Sequence, residues 1–197
     1  MDKVTIDTYN RAALAYDTET TRFWDLFPRT IIDKFADMAN GRVLDVGSGP
    51  GRDGVILRRK GLDVVCLDAS EAMVALSTSR GLDSVMGDFC DLPFSDAAFD
   101  GVWAYTALLH IPKNEVGTAL AEIARVLVKG GVFGLGLIEG NNEQYRESSG
   151  ISLPRWFSYY QKDEVKNLLQ THGFTPVYFE QFKPASKNYL NFISQKD

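Results

Sequence analysis

The 197-residue chain is poor in the residue types that mark several protein classes. It has two cysteines, Cys66 and Cys90, and two histidines, too few for a disulfide framework or a paired Cys/His zinc signature. No apolar run approaches the ~20 residues that a bilayer-spanning helix needs. The opening residues, MDKVTIDTYN, lack the charged-then-apolar organisation of a secretory leader. Basic residues are not in excess either: 21 Lys and Arg against 26 Asp and Glu give a formal net charge of −5. Such a chain repels a polyphosphate backbone unless its basic residues gather on one face, and the densest basic run, Arg58-Arg59-Lys60, is short. The expectation is a reduced, cytoplasmic protein, monomer or homodimer, with no nucleic-acid or membrane partner. What is present is core-forming material: 45% hydrophobic and 24% charged residues, in a length that suits one domain.

Three stretches divide that domain. Residues 1–40 read as helices, with Phe23, Leu26, Phe27, Thr30, Ile31, Phe35 and Met38 recurring at steps of three and four and a break near Pro28. Residues 41–140 alternate short apolar runs with helical patterns. Strands are expected at Arg42–Val46, Val64–Asp68, Ser84–Gly87, Phe99–Ala104 and Val132–Ile138. Helices are expected at 52–60, from Ser70 through Met73 to Ser79, and from Pro112 to Val128, the last stopped by Lys129-Gly130-Gly131. In residues 141–197, a polar loop over 140–155 precedes a helix from Lys162 to His172. Two antiparallel strands follow, Val177–Phe182 and Tyr189–Ile193. Strands alternating with helices at this spacing predict an α/β sheet with helices on both faces.

The richest segment is Val43-Leu44-Asp45-Val46-Gly47-Ser48-Gly49-Pro50-Gly51-Arg52-Asp53. A strand runs into glycines at alternate positions, and a helix follows, so the backbone can turn sharply and a ligand can approach without a Cβ in the way. Asp68 ends the next strand, where a carboxylate can accept bonds from ribose hydroxyls. A dinucleotide turn would need its third glycine at position 52, which is Arg52. Asp45, just ahead of the turn, suits a ligand carrying an ammonium or sulfonium better than a pyrophosphate.

Together with VVCLDAS at 64–70, GDFCDLPF at 87–94, FDGVWAYTALLHIP at 99–112 and LVKGGVFGLGLIEG at 127–140, this turn resembles the class I S-adenosylmethionine-dependent methyltransferases, in their small-molecule, type 11-like branch. The resemblance spans about residues 40–180. It implies a three-layer Rossmann-like sandwich with a seven-stranded, mostly parallel sheet, the last strand antiparallel, and N-terminal helices capping the site. It implies S-adenosylmethionine as cofactor, with Asp45 under the methionine part, Gly47, Ser48, Gly49 and Gly51 wrapping it, and Asp68 and Ala69 at the ribose. Asp88 and Phe89 would flank the adenine, Met73 would touch the adenosine or only pack its helix, and Ala104 and Tyr105 would line the methyl region. Asp53 is a helix-start charge that also falls in the cofactor set. Arg52 or Arg22 could neutralise the cofactor carboxylate, and one of Tyr9 and Tyr16 could lie over the site.

His110 is either a general base, as its ordinary pKa near 6.5 allows, or a brace for the turn ahead of the next helix. With Tyr105 it forms the catalytic set. The expected reaction is direct displacement of a methyl group onto a small molecule, the cofactor carrying the difficult chemistry. The segment Ala104-Tyr105-Thr106-Ala107 lacks the Asn/Asp-Pro-Pro-aromatic run that accompanies amino methylation of bases and glutamine. A non-catalytic binder of the same cofactor is the alternative.

Overall fold

The computed structural model describes residues 2–21, 29–148 and 151–197. The expectations for Arg22, Phe23, Leu26, Phe27 and Pro28 lie outside the described residues. Helix α1 (Lys3–Thr20) begins at Asp2, whose carboxylate accepts from the Thr5 amide. Helix α2 (Thr30–Met38) buries Ile31, Ile32 and Phe35 at the predicted helical spacing. Strand β1 (Arg42–Val46), helix α3 (Arg52–Arg59), β2 (Asp63–Asp68), α4 (Glu71–Ser79), β3 (Asp83–Met86) and β4 (Phe99–Tyr105) follow. Then come α5 (Val116–Val126), β5 (Leu127–Ile138), β6 (Glu143–Ser148), β7 (Ile151–Ser158), α6 (Lys162–Thr171), β8 (Phe174–Phe182) and β9 (Tyr189–Lys196).

Seven strands form one sheet in the order β3-β2-β1-β4-β5-β9-β8. Pairing is parallel from β3 through β5, and β9 runs antiparallel to both β5 and β8. The expected Rossmann-like sheet with an antiparallel last strand is therefore present. From β1 the order runs outward through β2 and β3, and from β4 it runs the other way to β5. Right-handed crossovers then put α3 and α4 on one face and α5 on the other. The reversal opens a crevice between the ends of β1 and β4, where ligands of such sheets bind.

Two expectations need correction. Residues 140–155 are not a loop: β6 and β7 pair antiparallel as a separate two-stranded sheet. Their pattern hid this, because the side chains of Glu143–Glu147 are all exposed and Pro154 interrupts β7. Pro154 sits beside a register shift, where the missing amide N–H breaks no ladder. The helix expected over Pro112–Val128 is also shorter. Residues 112–115 form a turn, with the Glu115 amide on the Pro112 carbonyl. Leu127 is already extended, so Lys129-Gly130-Gly131 lies inside β5 rather than ending a helix. Gly130 adopts φ +74°, which absorbs the shift between the Phe99–Leu127 and Gly101–Val132 pairings.

The core centres on β4 and β5. Trp103 is fully buried, its ring 5.0 Å from that of Phe35 and 5.5 Å from the nearly parallel Tyr105. Gly134 of β5 makes room for it: a Cβ there would lie 2.4 Å from the indole and 2.9 Å from the Phe35 ring. Gly134→Ala should therefore lower stability by about 1–3 kcal/mol through overpacking. A reduced urea midpoint at unchanged slope is the expected reading, and an unshifted midpoint would contradict this packing.

Candidate active site

The turn after β1 sets the site. Gly47, Gly49 and Gly51 all take positive φ. At Gly47 a Cβ would stand 2.5 Å from that of Ala107, and at Gly51 one would meet Ser77 at 2.8 Å, so neither position tolerates a side chain. The Gly47 and Ser48 amides both donate to the Leu67 carbonyl, at 2.8 and 3.0 Å. The Asp68 carboxylate accepts from the Gly49 amide at 2.8 Å and the Ser70 amide at 2.9 Å. It is thus aimed at the turn before any ligand arrives. Burial raises its pKa, opposed by those backbone donors.

Behind the turn, Asp45 is 2% exposed. Asp53, in the first turn of α3, takes both Nη atoms of Arg29 at 2.7 and 2.5 Å and the Trp103 indole N–H at 2.8 Å. Arg29 is itself buried and lies 4.5 Å from the centre of the Tyr105 ring. The guanidinium and the indole hold Asp53 ionised despite its burial, and its pKa is lowered. Asp45 is pushed well above the usual carboxylate range, first by burial and then by the Asp53 charge. A cavity of about 830 Å³, open solvent at its mouth included, is lined by Asp45, Gly47, Ser48, Gly49, Asp53 and Asp68, with α1 over it.

The family model for the methyltransferase domain matches residues 44–135, the stretch carrying this turn and β1 through most of β5. A methyltransferase of Staphylococcus carnosus whose function is uncharacterized is 28% identical over 188 residues, covering 90% of this chain and 86% of that one. The demethylmenaquinone methyltransferase of Renibacterium salmoninarum is 38% identical over 113 residues, but this chain spans only 46% of its length. Among solved structures, the DhpI–SAH complex superposes with a TM-score of 0.81 at 19% identity, covering 98% of this chain and 96% of that one.

Residues 44–135 thus carry a methyltransferase domain, and the relatives and fold neighbours support the class I S-adenosylmethionine-dependent family.

In this methyltransferase, Tyr16, Met73, Phe89, Tyr105 and His110 line the same cavity as the carboxylates. Gly51, Ala69 and Ala104 sit in the flanking turn and strand ends and do not line it, and neither does Asp88. The Asp88 carboxylate instead accepts from the Cys90 amide, at 2.9 Å. Arg52 reaches the cavity wall, but its guanidinium is engaged by the carboxylate and backbone carbonyl of Asp17 and by Thr21. Asp17 also takes Arg80, which donates to the Pro50 carbonyl. Arg52 therefore ties α1 to the glycine turn through Nε and Nη2, while its Nη1 is buried with no hydrogen-bond partner among the described residues. Tyr105 is buried against Trp103, and burial raises its phenol pKa, so it stays protonated.

The rest of α1 is fastened in the same way. The Asn10 side chain accepts from the Ser70 hydroxyl and the Ala72 amide. Thr5 accepts from the Trp156 amide at 2.8 Å, and Thr8 donates to the Pro154 carbonyl at 2.6 Å. The hairpin that the sequence hid is thus the far anchor of the cap. Arg29, Asn10 and Thr5 had no signature in sequence: each is a lone polar residue whose partner is distant along the chain. Tyr9 and Tyr16 meet edge to face, with ring centroids 5.4 Å apart.

His110 closes the short 3-10 turn Leu108–His110 and is buried. Its Nδ1 lies 2.6 Å from the Trp156 carbonyl oxygen and its Nε2 lies 2.9 Å from the Tyr9 hydroxyl. Burial drives its pKa down to about 3. Between that value and the unfolded value near 6.5, the unfolded chain binds the extra proton, so stability rises with pH across this window and is lost as pH falls. At pH 5.5 the loss relative to pH 7 should be about 1 kcal/mol from this residue. Denaturation curves of the parent and His110→Gln at the two pH values test it: the variant should lack that part of the acid sensitivity. Equal acid sensitivity in both would contradict a buried neutral imidazole.

Proposed function

We propose that this methyltransferase moves a methyl group from S-adenosylmethionine to a small-molecule acceptor by direct displacement. The carrying observation is the convergence of Asp68, pre-oriented by two backbone amides, with a turn whose Gly47 and Gly51 leave no room for a Cβ, beside a buried pair of carboxylates. A cavity of this character fits a ribose at one end and a positively charged sulfur at the other. Asp68 would accept from the ribose hydroxyls, and the turn from Gly47 to Gly51 would follow the methionine portion. Phe89 would lie against the adenine, with Asp88 and Ala69 at its border, and Met73 would pack the adenosine. Ala104 and Tyr105 would bound the methyl side, and Asp45 would sit nearest the cationic group.

When bound, the cofactor supplies a carbon already activated by sulfonium, so the protein's work is alignment, worth roughly 7–11 kcal/mol for well-oriented reactants. A small acceptor is supported by the enclosed space under α1 and by the relative from Renibacterium salmoninarum, named for demethylmenaquinone. The negative net charge argues against a nucleic-acid acceptor.

Asp68→Asn tests the reading. The amide keeps the shape but loses the charge-assisted acceptors, worth about 1.5–3 kcal/mol. Calorimetric titration should show S-adenosylhomocysteine binding weakened by about 10- to 150-fold, at an unfolding temperature close to the parent's. Undiminished affinity would overturn the placement of the ribose.

A further inference from the structure

We infer that Tyr9 receives the methyl acceptor, offering its phenolic oxygen as a hydrogen-bond acceptor, and that the acceptor is a hydroxyl compound. This rests on the proposed methyl transfer and adds the class of nucleophile to it.

The Trp156 carbonyl sets the polarity of the contacts around it. That oxygen can only accept, so the His110 Nδ1 beside it, at 2.6 Å, carries the proton. A buried neutral imidazole has one N–H, which leaves Nε2 with a lone pair. Tyr9 Oη, 2.9 Å from Nε2, must then be the donor in that contact. Its single proton is committed to His110. Arg155 Nη1 donates to the same oxygen at 3.2 Å, with the guanidinium 5.4 Å from the Tyr9 ring centroid. Toward anything else in the cavity, Tyr9 has only lone-pair density to present. A ligand group meeting it must donate, which excludes a thioether or an alkene carbon and leaves O–H, N–H and S–H groups, between which the fate of the proton decides.

The position is fixed as well as the polarity. Thr5 and Thr8, on the same helix, are bonded to the backbone of β7, and the Tyr16 ring closes on Tyr9 from the other side. Tyr9 and His110 line the cavity that also holds Asp68 and Tyr105, so the acceptor and the methyl donor share one space. The charged groups facing His110 are Arg155 from β7, Lys187 ahead of β9 and Asp2 ahead of α1.

The same chain of contacts disposes of the proton. The new bond is acceptor oxygen to methyl carbon, the broken bond is sulfur to that carbon, and its electron pair stays on sulfur. The methylated oxygen, now an oxonium, is a strong acid. Its proton passes to Tyr9 Oη as the Tyr9 proton passes to His110 Nε2, and the imidazolium releases it to water after the product leaves. A buried imidazole is too weak a base to strip an alkylammonium, but an oxonium loses its proton even to a weak base. His110 acts through Tyr9 and is a positioning and relay residue.

Two measurements on the full-length protein test the inference. Nitrogen-15 NMR of the imidazoles, with His172→Gln separating the two histidines, should show His110 protonated at Nδ1 in the S-adenosylhomocysteine-saturated protein. Protonation at Nε2 would overturn it. Transfer of labelled methyl should then be assayed to catechol, benzylamine and thiophenol. Catechol should be methylated in preference. Tyr9→Phe should lower kcat by about 100-fold or more while leaving S-adenosylhomocysteine affinity at the parent value, with an unfolding temperature lowered by the lost partner of His110 but a cooperative transition retained. His110→Gln should lower kcat and shift its pH profile. Preference for the amine or thiol, or an undiminished Tyr9→Phe, would refute the inference and leave the methyltransferase reading standing. Absence of S-adenosylhomocysteine binding by the parent would instead sink that underlying reading.

Discussion

Asp53 is the residue on which the site's architecture turns. Its carboxylate joins three parts of the chain: Arg29 at the entry to α2, the first turn of α3, and Trp103 in the middle of β4. Burying such a pair is costly, and the Coulombic gain offsets that cost only when the remaining donors and acceptors are also satisfied. Here the bidentate guanidinium and the indole N–H satisfy them. The result is a charge-paired unit behind the glycine turn; burial first, and then the Asp53 charge, keep the neighbouring Asp45 from ionising.

Cap and hairpin form the second half of the design. Helix α1 carries few buried apolar residues, with Thr5, Thr8 and Ala13 turned inward. It is held instead by polar contacts: Asp17 to Arg52 and Arg80, Asn10 to the start of α4, and Thr5 and Thr8 to β7. Contacts of that kind exchange more readily with water than an apolar seam does.

Much of this was legible from residues alone, for identifiable reasons. Parallel strands buried on both faces read as continuous apolar runs, so β1, β2 and β4 stood out, and glycines that need positive φ marked the turn between β1 and α3. The alternation of elements and the antiparallel β8–β9 pair followed from the same patterns. What escaped was structure made by partners rather than by periodicity. Strand β6 is polar along its whole length and exists because β7 pairs with it. The glycine pair at 130–131 reads as a helix stop in isolation, but in the sheet it is a shift of register inside β5. Arg29 carried no mark in the sequence, and Arg52 stood there as a candidate partner for the cofactor carboxylate. Only the fold shows that one fastens the floor of the site and the other its cap.

On the proposed placement, one cavity, bounded by Asp68, the glycine turn and α1, holds adenosylmethionine with its sulfur toward Asp45 and its methyl group toward Tyr105 and Tyr9. The most direct measurement is a crystal structure of the protein grown with S-adenosylhomocysteine. The account predicts both ribose hydroxyls within hydrogen-bond distance of the Asp68 carboxylate, the adenine against Phe89, and the sulfur at the mouth of the turn on the side of Tyr105. A ribose held by other residues, or a ligand lodged outside the space between α1 and the strand ends, would contradict it.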